Sequence, residues 1–94
     1  MLLDANNLVN YVDTLDDKQL ETLARKRRFR AIGTSNGIEI TPASSGQPRQ
    51  ISRGMIQRVC DEFEQSKSMK PADYHAITFD ASYLLAIIDG FRRR

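Results

Sequence analysis

Asn36 and Gly37 separate two short runs, Arg28–Ser35 and Ile38–Thr41, in which apolar and polar side chains largely alternate. An Asn-Gly pair in that setting is the strongest short-range signal for a β-hairpin, because both residues accept the positive φ of a type I′ turn. A two-residue loop there pairs Ser35 with Ile38, Gly33 with Ile40 and Ala31 with Pro42. The two-residue period of a strand then puts Phe29, Ala31, Ile38 and Ile40 on one face. Arg28, Arg30, Ile32, Glu39 and Thr41 fall on the other. A hairpin alone is marginal in water, so its apolar face needs helices and its edges need another strand.

The flanking segments supply the helices. Asp4 is placed to cap a helix over about Ala5–Asp13, with Leu8, Tyr11, Val12 and Leu15 as its apolar stripe. A second helix is expected to start after Asp16, with Gln19 completing a capping box and Leu15 and Leu20 as a hydrophobic staple. Its buried edge would be Leu20, Leu23 and Ala24. Ala43–Gln50 reads as a loop. Ser52 then caps a helix over about Arg53–Ser66, stapled by Ile51 and Ile56 and buried along Ile56, Val59, Cys60 and Phe63. Pro71 interrupts a polar connection, and Ile77–Phe79 is the candidate third strand. Asp80 opens the most apolar helix, with Phe79 and Leu84 as staple, unwinding near Gly90 or reaching the final arginines, which are expected to fray. The order α-α-β-β-(β)-α-α predicts a small single α+β domain over residues 1–94, helices packed on one face of a short antiparallel sheet.

At 94 residues the core is real but thin. No apolar run approaches the roughly 20 residues that span a bilayer. The start, MLLDANN, has neither a basic segment nor a long apolar one, so no secretory signal is read and a cytoplasmic location is the default expectation. A lone cysteine, Cys60, cannot form an internal disulfide.

Charge is sorted along the chain although the net value is only +2. Arg25–Arg58 holds eight Lys or Arg against Glu39 alone, a balance of +7. Met1–Ala24 holds one Lys against five acids, −4, and Val59–Asp80 two against five, −3. This pattern points to an anionic partner, with nucleic acid the first expectation. On the hairpin's outer face Arg28 and Arg30 stand about 7 Å apart, near the phosphate spacing of a nucleic-acid strand. Arg49, Ser52, Arg53 and Arg58, with the backbone N–H groups of Ser52–Met55, would add an anion site at a helix N-terminus. With Phe29 assigned to the core, aromatic side chains are scarce on this strip and base stacking is not expected. The competing reading is a solvated face, with Arg25–Arg28 complementing the negative end of the second helix.

Catalysis has little to stand on. His75 is the only histidine, Cys60 belongs to a core row, and neither a cofactor nor a metal is implied. Asp61, Glu62 and Glu64 read as a solvated helix face, and Tyr74–His75 as a loop anchor. The alternative to nucleic acid is a protein-interaction adaptor or inhibitor, of the kind small mobile-element reading frames encode. Its basic strip would meet an acidic protein surface, and an open sheet edge leaves room for a homodimer.

Overall fold

The hairpin forms, and the sheet grows outward from it on both edges. The computed structural model describes residues 2–16 and 18–94. Its elements are α1 (Ala5–Thr14), β1 (Gln19–Glu21), β2 (Arg28–Thr34), β3 (Gly37–Pro42), β4 (Arg49–Ser52), α2 (Arg53–Ser66), a 3-10 turn at Pro71–Tyr74, and α3 (Ala81–Arg93). The four strands pair antiparallel in the order β1-β2-β3-β4. The fold is α+β, with its helices on one face of the sheet.

The hairpin register differs from the sequence expectation by two residues. Gly33 pairs with Ile38, Ala31 with Ile40 and Phe29 with Pro42, so the loop is Ser35-Asn36. A slip of two keeps every side chain on its face. Phe29, Ala31, Ile38 and Ile40 are accordingly buried. The shift arises because Gly37 serves as the first residue of β3 and not as a loop residue. Its N–H donates to Thr34 Oγ1 at 3.0 Å, and the neighbouring Asn36 carbonyl accepts from Arg53 N–H at 2.9 Å.

Two expected elements are replaced. The helix after Asp16 does not form, and Asp17, its expected first residue, lies outside the described residues. Asp16 holds left-handed backbone (φ 54°), whereas an N-cap is extended. Gln19–Glu21 instead pairs with the open edge of β2, matching Leu20 with Phe29. Three backbone pairings and a half-buried Leu20 outweigh a short helix with a thin apolar row. The third strand at Ile77–Phe79 is also absent, because Ile77 and Thr78 N–H both donate to Tyr74 O, at 2.8 and 2.9 Å, and close a turn. The other sheet edge is filled by β4, where Ile51 faces Ile38.

Helices α1 and α2 begin as their caps require. Asp4 Oδ1 accepts from Asn7 N–H at 2.8 Å and Ser52 Oγ from Met55 N–H at 3.2 Å. Helix α2 buries Ile56, Val59, Cys60 and Phe63 and ends at a left-handed Lys67. Helix α3 continues past Gly90 to Arg93, because Phe91 is buried there and sets its ring edge-on to Tyr11 at 5.8 Å. Helix α1 lies against β2 and β3. It approaches so closely that a side chain at Gly33 would meet Val9 Cγ1 at 3.1 Å and overlap the Asp13 carboxylate. The core closes between Phe29, Ile38, Ile40 and Ile51 of the sheet and Leu8, Val12, Ile56, Phe63, Leu84 and Ile88 of the helices. Among the described residues no helix is long and apolar enough to cross a membrane.

Candidate functional site

The loss of the second helix changes what Arg25–Arg28 are. They do not sit at a helix C-terminus, so no dipole accounts for them. They form and leave a tight turn between β1 and β2. Thr22, buried at its base, holds the turn shut. Its N–H donates to Arg27 O at 2.9 Å, its Oγ1 accepts from Arg27 N–H at 3.0 Å, and its carbonyl accepts from Lys26 N–H at 3.1 Å. Thr22 thus fixes the loop from within through its backbone and its hydroxyl, and Arg25, Lys26, Arg27 and Arg28 are all exposed. Lys26 closes the turn with left-handed backbone (φ 56°).

This turn borders two clefts at one end of the sheet. The first, about 440 Å³, is lined by Lys26, Arg27 and Arg28 on one side and by Pro42, Ser44 and Tyr83 on the other. The second, about 410 Å³, lies between Arg25 and Arg27 and the segment carrying His75, Phe79, Ser82 and Tyr83. Arg27 and Tyr83 line both. Tyr83, from the first turns of α3, is supported from below by Phe29, ring edge to ring face at 5.0 Å.

Phe79 is the residue the sequence misplaced most. The staple rule buries it against Leu84, but it is 79% exposed. The staple depends on an extended N-cap. Asp80 has φ −92° and ψ 16° and makes no side-chain cap, and Thr78 Oγ1 takes the Asp80 N–H instead at 3.1 Å. The chain therefore meets α3 at an angle that turns Phe79 outward. Its exposure forgoes most of the roughly 1.5–3 kcal/mol that full burial of such a side chain gives. The ring of His75, also exposed, stands 5.4 Å from it, tilted by 46°. Tyr74 is the anchor beneath them, fully buried, its hydroxyl donating to Ser68 O at 2.7 Å.

The six residues singled out from the sequence are not gathered into one surface. Arg28 and Arg30 share the outer face of β2. Their cross-strand neighbours include Glu21, opposite Arg28, and the next rung of that face carries Glu39, so the face is mixed in sign. Arg49 pairs with Ile40 and so reaches toward the helix side, where its Nη1 lies 3.1 Å from Asp80 Oδ1. That contact is ionic and lacks the alignment of a hydrogen bond. Arg53 Nη1 donates to Asn6 Oδ1 at 2.6 Å and its Nε to Ser35 O at 3.2 Å. Arg58 is exposed on α2, opposite the buried row. The anion site expected at the start of α2 has two of its four backbone donors engaged internally: Arg53 N–H by Asn36 O, and Met55 N–H by the Ser52 hydroxyl. Arg49, Ser52 and Arg53 therefore tie elements together, while Lys26, Arg27, His75, Phe79 and Tyr83 surround a corner that the sequence reading left unassigned.

Cys60 has no exposed surface, and burial, with the nearby Asp61 carboxylate adding to it, pushes its thiol up to about 12. A thiol held protonated in the core is not a nucleophile at neutral pH. Alkylation by iodoacetamide is expected to follow unfolding. Labelling at pH 8 should be undetectable in the native protein on the timescale that fully labels it in urea, and fast native labelling would contradict this burial. Among the described residues no three His, Cys, Asp or Glu side chains are grouped so as to hold a metal ion.

Compared with known proteins, the chain significantly matches no family model, no curated protein and no solved structure.

Proposed function

We propose that this protein is a non-enzymatic binding module that holds nucleic acid at the corner formed by the β1–β2 turn. Arg25, Lys26, Arg27 and Arg28 supply the phosphate contacts, flanked by Arg30 on β2. The observation that carries the reading is this run of four exposed cations on a turn pinned by Thr22, open to a cleft on either side. Four adjacent like charges repel one another, and the placement of Arg28 opposite Glu21 returns no more than about 1 kcal/mol, so an anionic partner gives the run a role. Phosphate contact through such a patch is salt-sensitive and only weakly sequence-specific.

The test is fluorescence anisotropy against labelled DNA and RNA at about 50 and about 200 mM salt. Contact with four phosphates is expected to weaken binding roughly 50-fold on single strands and roughly 150-fold on duplex over that range. Replacing Arg25, Lys26, Arg27 and Arg28 together by Gln should remove most of this salt dependence and change the melting temperature little, since relief of repulsion offsets the loss of Arg28 opposite Glu21. Affinity indifferent to salt, or unaltered by the fourfold change, would overturn the reading. Arg49→Gln and Arg53→Gln are the controls. They break contacts to Asp80 and Asn6, and are expected to lower stability more than binding.

A second reading is favoured by the uncovered face of the sheet. Arg28 and Glu21 are paired across it, Glu39 lies further along, and Ile32, 41% exposed, sits beside Glu39. A face with both signs around an apolar residue suits a second copy of the chain or another protein of mixed charge. Sedimentation at micromolar concentration distinguishes the two: a dimer broken by Ile32→Lys supports this reading, and a monomer dismisses self-association.

A further inference from the structure

We propose, resting on the nucleic-acid reading above, that Phe79 with His75 is a stacking platform for the unpaired bases of a single strand whose phosphates lie on the basic turn. Phe79 lines the same cleft as Arg25 and Arg27, so an aromatic face and two guanidinium groups border one space. That combination is how single strands are held without sequence readout: cations follow the backbone while bases stack on exposed rings. The platform is fixed in place. The backbone before it is closed by two N–H donations to Tyr74 O, and Tyr74 is locked in the core. At 46° the His75 and Phe79 rings do not stack face to face, so neither consumes the other's face. Bases in a duplex are already stacked on their neighbours, and they could not use this ring. The corner should therefore prefer single strands over duplex of equal length.

The experiment compares the wild-type protein, Phe79→Ala and Phe79→Trp by anisotropy against three probes: a single strand, a strand of equal length lacking its bases, and a blunt duplex. Phe79→Ala is expected to lose roughly 5- to 150-fold on the single strand, with Phe79→Trp retaining the affinity. The baseless strand should bind the wild type as weakly as the intact strand binds Phe79→Ala, and the salt slope should be unchanged by either variant. Because Phe79 is so exposed, the variants are expected to melt as the wild type does. Salt-dependent binding that Phe79→Ala leaves intact, or equal affinity for strands with and without bases, overturns the platform and spares the phosphate-binding reading. Failure of every nucleic acid to bind at low salt overturns both. An acidic peptide that competes as well as the single strand would reassign the corner to a protein partner.

Discussion

Gly37→Ala is expected to remove about 3 kcal/mol or more of folding stability, the largest loss from adding a single methyl group to this chain. Gly37 holds φ 151°, a backbone conformation that L-residues avoid at a cost of order 1–3 kcal/mol. Space adds to that cost. A Cβ at this position would overlap the carbonyl oxygen of Ile51 and come within 3.0 Å of Arg53 N. These are backbone atoms, so no rotamer change relieves the clash, and β4 itself must move. Three strands meet here, since Gly37 pairs with Thr34 on one side and Ser52 on the other, and Ser52 caps α2. A shift at Gly37 is transmitted to the start of that helix. A domain of this size has roughly 5–14 kcal/mol in all, so the loss is a large share. Gly46→Ala is the matched control. Gly46 also has positive φ, 66°, but a Cβ there meets nothing within 4 Å. It should cost about 1–2 kcal/mol from backbone conformation alone. Urea midpoints measure both, and equal losses would refute the steric contribution assigned to Ile51.

The same residue shows where sequence reasoning reaches its limit. Asn36-Gly37 announced the hairpin, and the alternation around it put Phe29, Ala31, Ile38 and Ile40 on the core face correctly. The register was off by two because the glycine was assigned to the loop. Its true requirement comes from Ile51, a residue of another strand, and such contacts leave no local trace. The helices α1, α2 and α3 were legible because each couples a polar residue at its start to an apolar row of helical period. Strands β1 and β4 were not. Gln19–Glu21 offers one apolar residue and Arg49–Ser52 another, too few for a period to be seen, and both are strands only because β2 and β3 present open edges.

The site followed the same division. The exposure of Arg28 and Arg30 could be read from strand alternation. The internal partners of Arg49 and Arg53 could not, since Asp80, Asn6 and Ser35 lie on distant segments. The assignment of Arg25–Arg28 to a helix terminus fell with the helix. Phe79 was placed in the core by a rule that holds when the N-cap is extended, and the backbone at Asp80 breaks that condition. The second helix gave way to pairing with β2, and Arg49 and Arg53 are held by residues distant in sequence, whereas Phe79 is turned outward by local contacts among Tyr74, Thr78 and Asp80.

Phe29→Ala is the second change of large expected effect, about 3–5 kcal/mol, because it deletes a ring with no solvent exposure from the centre of the sheet. Phe29 lies between Leu20 of β1 and Pro42 of β3, so the cavity would open beneath the strand edge that carries Arg28. It also supports Tyr83, which lines both clefts of the basic corner. Part of the loss is therefore burial and part is the edge-to-face contact, a pair worth about 0.5–1.5 kcal/mol beyond area. A double-mutant cycle separates them. Phe29→Leu and Tyr83→Leu keep most of the apolar volume, so both should fold, and the coupling between them isolates the ring contact. A coupling of about 0.5–1.5 kcal/mol in urea denaturation would establish that the core holds Tyr83 in position. Near-zero coupling, with each single change costing only its burial, would mean that Tyr83 is placed by α3 alone and that the corner is independent of the sheet beneath it.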